Sequence, residues 1–316
     1  GMGGPAMIEG GGLGVFRPEE VGPASVQYAN GVIDVLVDDE AAAVRAAKQY
    51  LSYFQAAVSE WTCADQRALR SAIPENRRRV YDVRRVIETM ADDGSVLELR
   101  RGFGAGMVTA LIRVEGRPMG LIANSPAHLA GAIDSDGADK AARFMQLCDA
   151  FGIAVVTLCD TPGMMVGPDV EETALVRHCC RLFVNGANLS VPIVTIVLRK
   201  AYGLGVQAMM GGSTKAPLAC VAWPTGEFGG MGLEGFVRLG YRKELDAAAD
   251  PVEREALFNE MVARLYEHGK ALSISSVFEI DDVIDPAESR RWITTLLRSA
   301  PPPDRSTPRR PFIDTW

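Results

Sequence analysis

Two glycine-bearing segments could do chemistry with backbone groups alone. Arg199–Met209 reads RKAYGLGVQAM and follows an apolar run. Its glycines open a helix directly after a strand, so the amides of the first turn lack partners within the helix and sit at the positive end of its dipole. Such a turn can stabilise an oxyanion without any side chain. DTPG, Asp160–Gly163, follows the apolar run IAVVTLC (Ile153–Cys159). That puts it at the carboxyl end of a strand, where α/β proteins bind ligands. Glu227, between Gly226 and Phe228, is an acid–base carboxylate if the loop after Trp223 lines a cleft, and a turn residue at a strand start if it does not.

The other candidates carry less. FGAGM (Phe103–Met107) precedes a β-like run rather than a helix, so it reads as a bend entering a strand and not as a phosphate loop. MMGGSTK (Met209–Lys215) lacks the Gly-Lys-Ser/Thr order of a nucleotide loop; Gly211 and Gly212 read as the end of a helix. His128 and His178 have no Ser or Cys nucleophile in a recognisable elbow, and structural roles are expected for both. The 6 cysteines show no C-x-x-C spacing and, with only 3 scattered histidines, suggest buried small hydrophobes rather than a metal site. No metal is expected.

The elements that must hold these segments follow from periodicity. A strand over Val32–Val37 and a helix from Glu40 to Ala57 form a fragment without a core of its own. Trp61–Arg79, polar and carrying Pro74 and the Arg77–Arg79 cluster, reads as a linker. From Tyr81 the pattern is regular. A helix over Val83–Met90 and a strand over Val96–Leu99 lead into the runs VTALIRV and MGLIAN, joined by a turn at Glu115–Arg117. A helix over Gly137–Phe151 follows the capping residues Asp134, Ser135 and Asp136. A buried strand over Ile153–Leu158, a helix over Val170–Val184, a strand over Pro192–Leu198 and a helix opening at Gly203 come next. Wholly apolar strands alternating with helices predict an α/β layer structure with helices covering the sheet. After Leu233 the chain turns helical, and a proline-rich tail from Pro301 is expected to lie on a surface.

The 316 residues, 47% of them hydrophobic, can bury a large core. A net charge of −7 with acids and bases interspersed argues against a nucleic-acid partner, and no apolar run has the length of a membrane span. Gly1 ahead of Met2 reads as a residue left by expression, and no charged-then-apolar leader follows. A cytoplasmic location is the expectation.

Order and spacing of a further set of motifs carry a resemblance. From Gly3 to about Trp292 the chain contains GPAMIEGGGLG, EEVGPA, NGVIDVLVDDEAAAV, the NSP of Asn124–Pro126, GAIDSDGADKAARFMQLCDAFGI, DTPGMMVG, RKAYGLG and AWPTGEFGGMG. In these it resembles the carboxyltransferase subunits of biotin-dependent acyl-CoA carboxylases, of the propionyl-CoA carboxylase β-subunit type. The resemblance implies two tandem crotonase-like domains of β-β-α units. Residues 2–60 would be the tail of an incomplete first domain, 61–80 a linker, 81–300 the complete second domain and 301–316 a tail. The family's glycine turn for the acyl-CoA enolate lies upstream of GPAMIEGGG and has no counterpart here. The family commonly reads R-K-A-Y-G-G-A-Y, against Leu204 and Gly205 in this chain, so both amides remain while the substrate fit beside Leu204, Val206 and Gln207 changes.

The implied activity moves a carboxyl group from carboxybiotin to the α-carbon of an acyl-CoA, with the ureido nitrogen taking the α-proton, so no side chain need act as base. The protein would supply two backbone anion holes and placement. The amides of Leu204 and Gly205 are then the catalytic donors of the biotin hole, and Gly203 permits the turn. Asp160 and Gly163 shape the cleft, and Val206, Gln207 and Glu227 complete the binding residues. Proline at 205 is expected to remove a donor and still fold, and alanine to be gentle if φ is negative there. The implied partners are a biotin carboxyl carrier or biotin carboxylase subunit and either further copies of the chain or a complementary N-terminal half. A biotin-dependent decarboxylase subunit and a non-catalytic assembly subunit are the alternative readings.

Overall fold

The computed structural model describes residues 2–248, 250–301 and 311–315. Its centre is an eight-stranded mixed sheet of β1 (Leu97–Leu99), β2 (Met107–Val114), β3 (Arg117–Asn124), β4 (Val155–Thr161), β5 (Ile193–Tyr202), β6 (Ala219–Ala222), β7 (Glu227–Gly229) and β8 (Asp282–Val283). The order is β1-β2-β3-β4-β5-β6-β8, with β7 paired to the end of β5. The first three strands are antiparallel neighbours and every later pairing is parallel.

The β2–β3 hairpin turns at Glu115 and Gly116, both at positive φ (51° and 75°). That is the conformation a two-residue hairpin requires. The Asp92 carboxylate accepts from both turn amides, at 3.0 and 2.7 Å, and is itself paired with Arg290 at 2.7 Å.

Parallel strands need crossovers, and these are helices. Ser135–Phe151 links β3 to β4, its N-terminus capped by Asp134, which accepts from Gly137 N at 2.8 Å. Leu175–Asn188 links β4 to β5. The helix expected over Val170–Val184 is broken: Pro168–Glu171 is a separate short helix, and Ala174, at φ 57°, interrupts the chain before Leu175. All of β4 is buried, as a strand covered on both faces must be. One face packs on the two crossover helices through residues such as Val155, Ile193, Met145 and Leu182. The other packs Val156, Leu158, Val194 and Ile196 on the Val83–Met90 and Ser289–Ser299 helices, through Ile87, Met90 and Ile293.

The N-terminal sixty residues differ from expectation. They form the helices Pro5–Gly10, Ala24–Ala29 and Glu40–Ser52, and no strand forms at Val32–Val37. The backbone there is used in turns instead: Ile33 N donates to Gln27 O, and Asp34 O accepts from Arg100 N. Without a neighbouring strand, a β-run has nowhere to place its amides and carbonyls. The segment is anchored by Tyr53, which is buried and hydrogen-bonded to Ser95 O, and by the Arg113 guanidinium on Ser52 O at 2.8 Å. Leu13, Val15, Val26, Val32, Val44 and Leu51 remain exposed.

The stretch Trp61–Arg79, where no periodicity was legible, is packed through buried Leu69 and Ile73. Of the proline-rich tail, residues 302–310 and 316 lie outside the described residues; beyond them Asp314 pairs with Arg181 at 2.6 Å. Among the described residues no helix is long and apolar enough to cross a membrane.

Candidate functional site

The carboxyl ends of β4, β5 and β7 converge on one edge of the sheet, bringing most of the sequence-selected residues together. Asp160 is not beyond its strand, as expected, but within it, next to a register shift between Cys159 and Thr161. Its side chain is fully buried. Oδ2 accepts from Arg199 Nη2 at 2.9 Å and from the Tyr81 hydroxyl at 2.8 Å, and Oδ1 accepts from Lys200 N at 3.1 Å. Arg199 in turn donates to Arg79 O at 2.8 Å. Asp160 therefore ties the 79–81 loop to β4 and β5, and a buried carboxylate so surrounded acts as an anchor. Burial, and then the neighbouring Asp160 charge, push the Tyr81 hydroxyl far above its ordinary range. Burial lowers the Lys200 ammonium, which hydrogen-bonds to Ala130 O.

Glu227 opens β7, where Lys200 and Tyr202 of β5 pair beside it in register with Glu227 and Gly229. It stands at the strand start, as one of the two readings has it, and is 2% exposed in a position that lines a cleft, as the other requires. Burial raises its carboxyl above the usual range, against the opposing influence of Tyr202 and Arg77. The Arg77 guanidinium stands 3.7 Å from Oε2, and its other arm pairs with Glu234 at 2.7 Å. The buried Tyr202 hydroxyl and Glu227 carboxyl face each other, and neither has a further hydrogen-bond partner among the described residues. Both residues line a cleft of about 490 Å³ with Arg77, Lys200, Pro162 and Arg238.

The turn after β5 has the anticipated form. Gly203, at φ 59°, carries the chain from the strand into the Gly203–Met209 helix, and a side chain is disfavoured there. Leu204 is 62% exposed and Gln207 is exposed, while Gly205 and Val206 are buried. Gly205 lies backbone to backbone against Gly163, whose φ is 124°. A Cβ on Gly205 would stand 2.7 Å from Gly163 Cα, which overturns the expectation that alanine or proline fits at 205 once φ is negative.

His128 and His178 lie outside the cleft, paired with Asp134 at 3.2 Å and Asp139 at 2.6 Å. Among the described residues no group of three or more His, Cys, Asp or Glu is arranged to hold a metal ion. Sequence reasoning missed Tyr81, Arg77 and Tyr202. The Arg77–Arg79 cluster was visible only as a polar linker, and nothing local tells that its first member reaches Glu227.

The sequence profile of the carboxyl transferase domain matches residues 4–310. The chain is 35% identical over 292 residues to the methylmalonyl-CoA carboxyltransferase 12S subunit of Propionibacterium freudenreichii subsp. shermanii, covering 88% of this chain and 54% of that protein. Among solved structures, a single-chain, multi-domain long-chain acyl-CoA carboxylase superposes with a TM-score of 0.88 at 60% identity, covering 94% of this chain and 29% of that one. The transcarboxylase 12S hexamer, with methylmalonyl-CoA and methylmalonic acid bound, gives 0.84 at 32% identity, covering 99% and 62%. The chain thus spans about half the length of the curated relatives it matches. Motif order, the α/β sheet with its β-β-α units and these likenesses agree: the chain belongs to the carboxyl transferase domain family.

Proposed function

We propose that this chain is the carboxybiotin-receiving half of the carboxyltransferase of a biotin-dependent acyl-CoA carboxylase. The observation that carries the reading is the structural likeness, at 60% identity over 94% of this chain, to a long-chain acyl-CoA carboxylase. Residues 81–300 are the complete crotonase-like unit. Residues 2–60 are the closing part of another, whose apolar side chains at Leu13, Val15, Val26 and Leu51 are exposed here and are covered by residues outside these 316. Those residues also supply the hole for the acyl-CoA enolate. The location is cytoplasmic, the partner is a biotin carboxyl carrier or biotin carboxylase subunit, and the assembly is oligomeric.

Biotin on its carrier supplies the carboxyl group. Two features support such a guest: the cleft is roomy, and it is walled by the cationic Arg77, Lys200 and Arg238. The Leu204 and Gly205 amides donate to the ureido oxygen, Gly203 makes the turn, and Asp160 and Gly163 hold the cleft wall. Val206 packs beneath the turn and Gln207 borders it. Transfer needs no protein base, because the protein's work is to pre-orient dipoles and exclude water.

Mixing the chain with a complementary first-half chain and biotinylated carrier, and following carboxyl transfer to an acyl-CoA, tests this. Turnover is expected from the mixture and none from the chain alone. Robust turnover by the chain alone would place the acyl-CoA site within it, and none from the mixture would favour an assembly role.

A further inference from the structure

After β7 the chain leaves the sheet for a helical excursion. The helices Leu233–Gly240, Arg242–Ala247 and Pro251–Gly269 pack on one another. Their buried residues Leu233, Val237 and Leu245 belong to neither of the two cores that flank the sheet. Of the 19 residues in the last helix only Gly269 is buried. The excursion departs and returns at one place: Gly269 lies against the Phe228 carbonyl with no room for a Cβ, and Ala271 N donates to Gly226 O at 2.9 Å. The departing stretch reads Gly229-Gly230-Met231-Gly232. Neither Gly230 nor Gly232 has a positive φ, and a Cβ on either would meet nothing within 4 Å. No turn or close contact demands glycine there, so what it supplies is a soft backbone.

This helical head forms one wall of the cleft through Gly232, Glu234 and Arg238, opposite Pro126, Pro162 and Lys200 of the sheet. Across the cleft it is clasped by Arg77. One arm of that guanidinium pairs with Glu234 at 2.7 Å, and the group lies over the Tyr266 ring at 5.2 Å, so it grips the first and the last helix together. Arg78 adds a second contact to Glu234 at 3.0 Å. A soft stem, a head with its own packing and a polar clasp that water can replace are the parts of a hinged closure. We propose that residues 233–269 are a lid over the cleft, hinged at Gly230 and Gly232, and that Arg77 is the positioning residue that latches it. The lid rests on the geometry of the cleft; that its opening admits a carrier-borne guest and its closing excludes water rests on the carboxyltransferase reading. The hinge also borders the glycine turn, for a Cβ on Gly203 would stand 3.0 Å from Gly230 O.

Hydrogen exchange of the full chain, read peptide by peptide in a mass spectrometer, follows the lid and the sheet separately. Arg77→Met and Glu234→Gln are each expected to speed exchange within 233–268 about three- to tenfold, the loss of a partly exposed ion pair, while peptides of β4 and β5 keep their rates. Arg77→Lys keeps the charge without the second arm and should fall between Met and the parent. Gly230→Ala, which has room for its methyl, should act in the opposite direction and slow the same peptides about two- to fivefold. Exchange raised alike in lid and sheet by Arg77→Met would make Arg77 a general structural tie and overturn the latch. So would lid peptides that ignore both latch variants. A Gly230→Ala chain whose lid exchanges as fast as the parent's overturns the hinge. These results are independent of turnover: a transfer mixture of parent chains that does nothing overturns the carboxyltransferase reading and not the lid.

Discussion

Gly205 and Gly163 touch through their backbones: a Cβ built on Gly205 would lie 2.7 Å from Gly163 Cα and 2.8 Å from its carbonyl carbon. The two glycines come from the turns after β5 and β4, and their contact sets how closely the proposed anion hole approaches the wall of the cleft. The Gly163 carbonyl is fixed on its far side, accepting from Ile133 N at 3.0 Å and from the Thr161 hydroxyl at 3.0 Å, so it has little room to yield.

Gly205→Ala is accordingly expected to destabilise the fold by about 1–3 kcal/mol, the usual cost of forcing a methyl into a packed site. Chemical denaturation measures it. A variant as stable as the parent would mean that the 160–165 loop moves aside freely.

The buried Asp160–Arg199 pair should be strongly coupled. Asp160→Ala leaves the Arg199 guanidinium buried without its carboxylate, and Arg199→Met leaves the carboxylate. Each single change is expected to cost about 3–5 kcal/mol, and the double variant clearly less than their sum. Denaturation of all four proteins closes the cycle, and additive losses would sink the coupling.

Lys140 gives a pH signature. It is 1% exposed, donates to Phe103 O at 2.9 Å, and burial lowers its ammonium to about 8 from 10.5. Between those two values the unfolded chain keeps a proton that the folded one has released, so stability rises with pH across that window. The rise attributable to Lys140 is roughly 3 kcal/mol. Subtracting the profile of Lys140→Met from that of the parent isolates it from the tyrosines that titrate nearby. Parallel profiles from pH 7 to 10.5 would show that the ammonium stays charged in the fold.

Much of the architecture was legible because it is local. The apolar runs of β4 and β5, the β2–β3 hairpin, the Asp134 cap and the glycine at the entry to the Gly203–Met209 helix each depend on a few consecutive residues. So did the family, which rests on motif order. The strand at Val32–Val37 failed for the complementary reason: its residues have β character, but a strand is made by a neighbour, and none lies beside it among the described residues.

What only the tertiary structure decided is who stands beside whom. Asp160, chosen from DTPG as a cleft-shaping residue, is a buried anchor because Arg199 and Tyr81, 39 and 79 residues away, close on it. Glu227 could be an acid or a turn residue by sequence alone. Its burial beside Tyr202, with the Arg77 guanidinium 3.7 Å from Oε2, follows from packing β7 against the end of β5. Gly205 reads as a helix-opening residue with ordinary φ, and its intolerance of a side chain arises from a second loop that arrives through space. Periodicity and turn chemistry are written along the chain, whereas desolvation, ion pairing and close backbone contact depend on distances between residues far apart in it.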